Sequence, residues 1–112
     1  MATDEEMRLN LKKLEKAIND KTKIHLQMVD TAVDKFILFH PYAIVKDPFN
    51  DRLECFGYME MHYEGSNNYW RIPVLEGIKT VEVLNDHFQI GTNWEQELKK
   101  FQPSKEVLKS IG

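Results

Sequence analysis

The spacing of apolar residues along this chain changes from a helical period to a strand period. From Thr3 to Asn19, apolar side chains recur every three or four residues, which is the spacing of one face of a helix. Thr3 and Glu6 have the spacing of a capping box, in which the two side chains satisfy N–H groups at a helix start. The pattern predicts an amphipathic helix, and its apolar stripe consists of Met7, Leu11, Leu14 and Ile18.

From Lys23 onward the period shortens to two residues, as is typical of strands with one buried face. The predicted strands are KIHLQMVD, KFILFHPYAIV, RLECFGYMEMHY, NYWRIPV and GIKTVEVL. The predicted turns between and after them are TAVD (residues 31–34), KDPFND (46–51), EGSNN (64–68) and LNDHF (84–88). Pro41 predicts an edge, a bulge or a strand change, and Gly57 predicts a bend or a close backbone approach.

A second helical pattern follows the strands. In TNWEQELKKF, Thr92 and Glu95 have capping-box spacing, and Trp94, Leu98 and Phe101 form the apolar stripe. After Pro103 we expect a short last helix over residues 105–110. The predicted fold is therefore mainly β with flanking helices (α+β), in which about five antiparallel strands curl into a half-open barrel. Its parts are an N-terminal helix (1–22), the barrel (23–91) and a C-terminal helical segment (92–112), in one compact domain.

Composition agrees with a single folded domain and excludes some classes of partner. The chain has 112 residues, of which 42% are hydrophobic and 29% charged, and its net charge is -3. It has no basic block of the kind that non-specific nucleic-acid binding requires. No apolar run approaches the ~18 residues of a membrane span, and the charged N-terminus does not resemble a signal peptide. We therefore expect a cytoplasmic protein without a membrane association.

Residues that could carry chemistry are scattered. The lone Cys55 is expected to be a core residue, the alternative being a catalytic thiol beside a histidine. Glu54 and Glu60 stand six residues apart, about 20 Å along a strand, which is too far for a catalytic pair. The histidines show no metal-ligand spacing and are His25, His40, His62 and His87. The sequence thus predicts no enzyme activity, no metal site and no cofactor.

Aromatic residues beside an arginine form the candidate binding site. Arg71 follows Tyr69 and Trp70, and its planar guanidinium could hold an anion or stack on a base. Tyr58 and Trp70 could line a groove, because amphipathic aromatic side chains favour interfaces. The alternatives stay open: Arg71 as an exposed strand residue, and the aromatic residues as core packing.

Several stretches resemble the WYL domain, a sensory module of bacterial transcription regulators. The resemblance runs through LEKAINDKTKIHLQMVD, then PYAI (Pro41–Ile44), LECFGY (Leu53–Tyr58) and PVLEGIKTVEVLNDHF (Pro73–Phe88). It implies an SH3-like or Sm-like barrel that binds a small anionic ligand or a nucleic-acid fragment. Leu53-Glu54-Cys55 replaces the family's name triplet, and Val74 and Gly77 occupy the positions of its arginines.

The resemblance also implies how such a module would be connected. In the family a winged helix-turn-helix usually precedes the barrel, and only one helix precedes Ile24 here. DNA would be bound through that separate domain, which this chain does not contain, and the first helix would be the linker. The alternative is an SH3-like interaction or dimerisation module without a small-molecule ligand, with a homodimer contact through the stripe of the first helix.

Overall fold

The computed structural model describes residues 3–29, 37–60, 69–101 and 106–111. Their elements in chain order are α1 (Asp4–Asp20), β1 (Thr22–Met28), β2 (Ile37–Lys46), β3 (Leu53–Glu60), β4 (Tyr69–Arg71), a 3-10 helix (Leu75–Gly77), β5 (Ile78–His87), α2 (Trp94–Phe101) and β6 (Glu106–Ser110). The turns predicted at residues 31–34 and 64–68 lie outside the described residues, as does His62.

The first helix is confirmed, including its cap. The Thr3 backbone N–H donates to Glu6 Oε1 at 2.9 Å, and Glu6 N–H donates to Thr3 Oγ1 at 3.1 Å. Leu14 and Ile18 of the predicted stripe are fully buried in the chain's own core. Asn10 is also buried, and its side-chain amide donates to the backbone oxygen of Ile78 at 3.2 Å. The helix is therefore attached to β5 by a polar contact as well as by apolar packing.

One antiparallel sheet holds all six strands. The strand order is β4-β3-β2-β1-β5, and β6 pairs with β2 outside that path. The strand β2 changes partners along its length: residues 37–39 pair with β1, and residues 43–46 pair with β6. A bulge between Pro41 and Ala43 marks the change, where proline lacks the N–H that a regular ladder needs. The bulge and the strand change predicted from Pro41 are both present.

Gly57 allows two strands to approach closely. It pairs with Pro41 of β2, and a Cβ atom placed on it would overlap the His40 carbonyl oxygen and lie 2.5 Å from the Phe39 ring. A side chain at this position would therefore collide with backbone, which cannot move aside as a flexible side chain can. The close approach predicted from the sequence is confirmed.

Two predicted elements are wrong. Glu106–Ser110 is a strand and not a helix, so α2 is the one helix among the described C-terminal residues. Glu106–Ser110 pairs with the β2 edge after the bulge and so satisfies backbone groups there. The buried Ile111 fixes the end of β6, because its N–H donates to Tyr42 O at 2.7 Å. The turn expected at residues 84–88 is also absent, because β5 runs to His87 and pairs there with Thr22 of β1.

The architecture is thus mainly an antiparallel β-sheet with two helices, in the α+β class. Within the part of the chain that the structure describes, neither helix is long and apolar enough to cross a bilayer.

Candidate ligand groove and aromatic cluster

The structure separates the predicted site residues into two groups. Tyr58 and Trp70 lie directly opposite each other on β3 and β4, and their ring centroids are 5.1 Å apart. Arg71, the next residue, is paired with Gly57. Because successive residues of a strand point to opposite faces, Arg71 leaves the face on which these two rings meet. Tyr69 is in register with Met59, and its side chain lies outside the described residues.

Trp70 belongs to an aromatic cluster. Its ring is stacked on Phe56 with centroids 5.1 Å apart and planes at 1°, and it meets Tyr42 edge-on at 4.9 Å. The cluster, as we use the term, consists of His40, Tyr42, Phe56, Tyr58, Trp70, Phe88, Trp94 and Phe101. Three ring contacts hold the half-buried Trp70 in place, so its main contacts are with this protein's own core.

Tyr42 anchors the segment between β5 and α2 to the cluster. Its hydroxyl accepts a hydrogen bond from Gly91 N–H at 2.9 Å and donates to the Gln89 carbonyl oxygen at 3.4 Å. Burial raises the pKa of the Tyr42 hydroxyl, so the group stays protonated and keeps both bonds. The sequence analysis missed this role. The one signal available was a tyrosine directly after the strand-breaking Pro41.

Arg71 lies on a groove of ≈ 290 Å³ between β4 and the ends of β1, β2 and α2, which we call the Arg71 groove. Its described lining residues are Met28, Ile37, Met59, Arg71, Ile72, Pro73 and Phe101. Arg71 is exposed, and its Nη1 donates to the Trp70 carbonyl oxygen at 3.3 Å. The groove thus combines an apolar wall with a guanidinium whose orientation is partly fixed by the backbone.

A second groove of ≈ 390 Å³ lies between α1 and the start of β3, and we call it the α1 groove. It is lined by Met7, Arg8, Leu11, Asp51, Arg52, Leu53, Leu75 and Glu76. Arg52 Nε and Glu76 Oε1 are 3.0 Å apart across it. Two residues of the predicted helix stripe, Met7 and Leu11, therefore line a groove, whereas Leu14 and Ile18 do not.

A polar group lies beside the aromatic cluster, on β1, β2 and β3. His40 Nε2 is 2.8 Å from Glu60 Oε2, and Lys23 Nζ is 3.5 Å from the same oxygen. Burial lowers the pKa of His40, although Glu60 acts in the opposite direction. Burial alone would raise the pKa of Glu60, but the hydrogen bond and charge of His40 and the charge of Lys23 lower it.

The remaining candidates for chemistry do not converge. Cys55 is fully buried, and burial raises the pKa of its thiol, so the reactive thiolate form is disfavoured. His25 is next to Glu82 at 3.1 Å, and His40 is next to Glu60. Among the described residues, no three histidine, cysteine, aspartate or glutamate side chains are grouped so that they could hold a metal ion.

A comparison with known proteins finds no matching family model, no matching curated protein and no matching solved structure. The WYL resemblance therefore stays a prediction based on the residues quoted for it. The Arg71 groove and the α1 groove are the surfaces described above on which a ligand could bind.

Proposed function

We propose that this chain is a WYL-like regulatory module with an SH3-like or Sm-like half-open barrel, which binds a small organic anion in the Arg71 groove. The observation that carries the proposal is the position of Arg71 on a groove whose other described lining residues are apolar. A guanidinium donates in a planar fork that matches a carboxylate or phosphate, and it is always charged. Met28, Met59 and Ile72 would receive the apolar part of the same ligand.

Chain connectivity supports the barrel part of the proposal. The strands β4 and β5 are at opposite ends of the strand order, yet only residues 72–77 separate them. Two backbone hydrogen bonds hold this connection. Cys55 N–H of β3 donates to Pro73 O, and Val29 N–H, directly after β1, donates to Gly77 O. A sheet whose end strands are joined so closely must curl strongly.

Groove size and protein charge favour a small anion over a nucleic acid. A volume of ≈ 290 Å³ suits one ring or a short alkyl chain with its acid group. The net charge of -3 opposes the approach of a longer polyanion. Trp70 and Tyr58 would contribute indirectly to binding. The Trp70 backbone oxygen orients Arg71, and the Tyr58 ring packs against the Trp70 ring. Binding would shift the equilibrium of an attached element toward one state and would involve no reaction.

Benzoate is a suitable first probe, with neutral benzamide as its matched control. NMR spectra would follow the Arg71 Nε–H signal and the methyl groups of Met28 and Met59. We expect benzoate to shift all three signals, with benzamide binding at least about tenfold more weakly, because it lacks the charge that Arg71 recognises.

Variants separate the Arg71 groove from general anion binding. Arg71→Gln should weaken benzoate binding about tenfold or more, and Arg71→Lys should restore part of it, since lysine keeps the charge but not the planar fork. Arg8→Gln, at the α1 groove, is the matched control and should leave these shifts unchanged. Equal benzoate shifts in wild type and Arg71→Gln would overturn the proposal.

A further inference from the structure

Among the described residues, Phe49 has the most exposed large apolar side chain. It lies in the turn between β2 and β3, and 84% of its surface is accessible, against 49% for Leu9 of α1. Burying a phenylalanine side chain is strongly favourable, so an aromatic ring held in water is a candidate anchor for an interface.

Hydrogen bonds fix the turn that carries Phe49. Phe49 N–H donates to Asp47 Oδ1 at 2.8 Å, and Arg52 N–H donates to Asn50 Oδ1 at 3.0 Å. Two backbone bonds close the turn, from Asp47 N–H to Arg52 O and from Asp51 N–H to Asp47 O, both 2.9 Å long. Asp51 has a left-handed backbone, with φ at 58°. The turn is thus defined by several contacts, which fix the backbone position from which the ring projects.

The same turn forms part of the α1 groove. Asp51 and Arg52 line that groove, only two and three residues after Phe49. Phe49 itself is not among the described residues that line the groove. An exposed ring and an apolar groove of ≈ 390 Å³ are therefore neighbours on one surface.

We propose that two copies of this chain associate through this surface, each inserting Phe49 into the α1 groove of the other. A two-fold dimer uses the same patch on both copies. Because each patch contains both a ring and a groove, each copy can insert its ring and also receive the ring of the other copy. The apolar wall of the groove, made by Met7, Leu11 and Leu75, would contact the inserted ring.

Charge also favours a second copy as the occupant. The groove is lined by two arginines, Arg8 and Arg52, and two acids, Asp51 and Glu76, so its lining is neutral although the chain carries -3. Two copies can approach at this surface without the repulsion that their net charge would otherwise produce. The arginines that line the groove of one copy could then lie near the acids that line the groove of the other.

Sedimentation over concentrations on the order of 10 µM to 1 mM tests the proposal. Wild type should show a monomer–dimer equilibrium, and Phe49→Ser should weaken it roughly a hundredfold, because two anchors are lost and each typically contributes at least tenfold. Leu9→Ser is the matched control for general surface hydrophobicity and should dimerise like wild type. A wild type that stays monomeric, or a Phe49→Ser variant that dimerises equally well, would overturn the proposal.

Mixing two variants tests the reciprocal insertion itself. Phe49→Ser keeps the groove without the ring, and Leu11→Glu keeps the ring and blocks the groove. Each variant alone should be monomeric, while the mixture should form a heterodimer through one intact insertion. Met7→Glu replaces Leu11→Glu if circular dichroism shows that the latter is unfolded. A mixture with no more dimer than either folded variant alone would contradict the exchange of rings.

Discussion

The α1 groove and the Arg71 groove have similar apolar walls but differ in the charges among their described lining residues. In the α1 groove, arginines and acids line the same space, and Arg52 is 3.0 Å from Glu76. In the Arg71 groove, Arg71 is the one charged side chain among the seven described lining residues. Both grooves offer methionine and leucine or isoleucine side chains to an apolar guest.

This difference in charged lining residues indicates which kind of ligand each groove suits. A guanidinium beside a carboxylate is already neutralised, so the α1 groove gives an anion little advantage and suits an uncharged apolar group. The described lining of the Arg71 groove combines one guanidinium with apolar side chains, which suits a ligand that is apolar at one end and anionic at the other. Arginine content alone would have suggested the same ligand for both grooves.

The largest effect should come from the strand that both grooves share, β3. Gly57→Ala places a Cβ atom against the His40 carbonyl and the Phe39 ring, which forces β2 and β3 apart opposite Arg71. We expect a loss of about 3 kcal/mol in the free energy of unfolding, measured by urea titration. Benzoate binding in the Arg71 groove should fall with it, since Met59 lies two residues along the displaced strand.

Gly91→Ala is the matched control for this loss. A Cβ atom on Gly91 would lie 3.6 Å from the Tyr42 hydroxyl oxygen, at ordinary contact distance. Its unfolding free energy should change by less than about 1 kcal/mol. If both alanine variants were equally stable, the close approach of β2 and β3 at Gly57 would not be a packing constraint.

Acid should weaken the end of the sheet that carries the Arg71 groove. Burial lowers the pKa of His40 below its ordinary value of 6.5, so the unfolded chain takes up this proton at higher pH than the folded chain. The contribution of neutral His40 to stability is therefore fully present above about pH 6.5. It decreases as the pH falls toward the lower pKa that His40 has in the folded state. The lowered pKa of Glu60 acts in the same direction at still lower pH, below its ordinary 4.5.

Urea titrations at about pH 7.5 and pH 5.5 measure this dependence. His40→Gln retains an amide that can bond Glu60 but cannot titrate, so its stability should vary less between the two pH values than that of wild type. The exposed His87→Gln is the control and should keep the wild-type dependence. Hydrogen exchange adds a regional measurement: at low pH, amides around His40 should lose protection before those of α1. Equal losses in both regions would contradict a local effect.

The smallest change in stability and the sharpest change in charge should come from Glu76→Gln. The Arg52–Glu76 pair is partly exposed, so its loss should cost no more than about 1 kcal/mol. The described lining of the α1 groove would then carry a net positive charge, and benzoate should begin to shift the Met7 methyl signal. Glu95→Gln on α2 is the control. If Glu76→Gln bound no benzoate while wild type bound it at Arg71, charge alone would not explain the difference between the grooves.

Local signals in the sequence predicted much of this fold. The capping box of Thr3 and Glu6, the bulge at Pro41 and the close approach at Gly57 each depend on the chemistry of one or two neighbouring residues. Strand alternation also indicates that Arg71 and Trp70 point to opposite faces, although the candidate site grouped them together. Predictions failed where the deciding partner is distant in the chain: β6 pairs with β2 residues that lie 60 to 67 positions earlier.

Sequence patterns did not predict the grooves either, because the residues that line each groove are distant from one another in the chain. Arg52 and Glu76 meet across 24 residues of chain, and neither residue type nor spacing marks them as a pair. Met28 and Phe101 line one groove although they are 73 positions apart in the chain. Such contacts depend on how the sheet curls, which no single stretch of sequence specifies.

The pairing of β6 with β2 also sets the order in which the protein can be completed during synthesis. On a ribosome, β2 emerges with residues 43–46 exposing backbone groups that β6 will later pair with. Until synthesis has passed Ile111, that edge is open to any other extended chain, including a neighbouring nascent copy. The β2 edge is therefore available for pairing with other chains during synthesis until β6 joins the sheet.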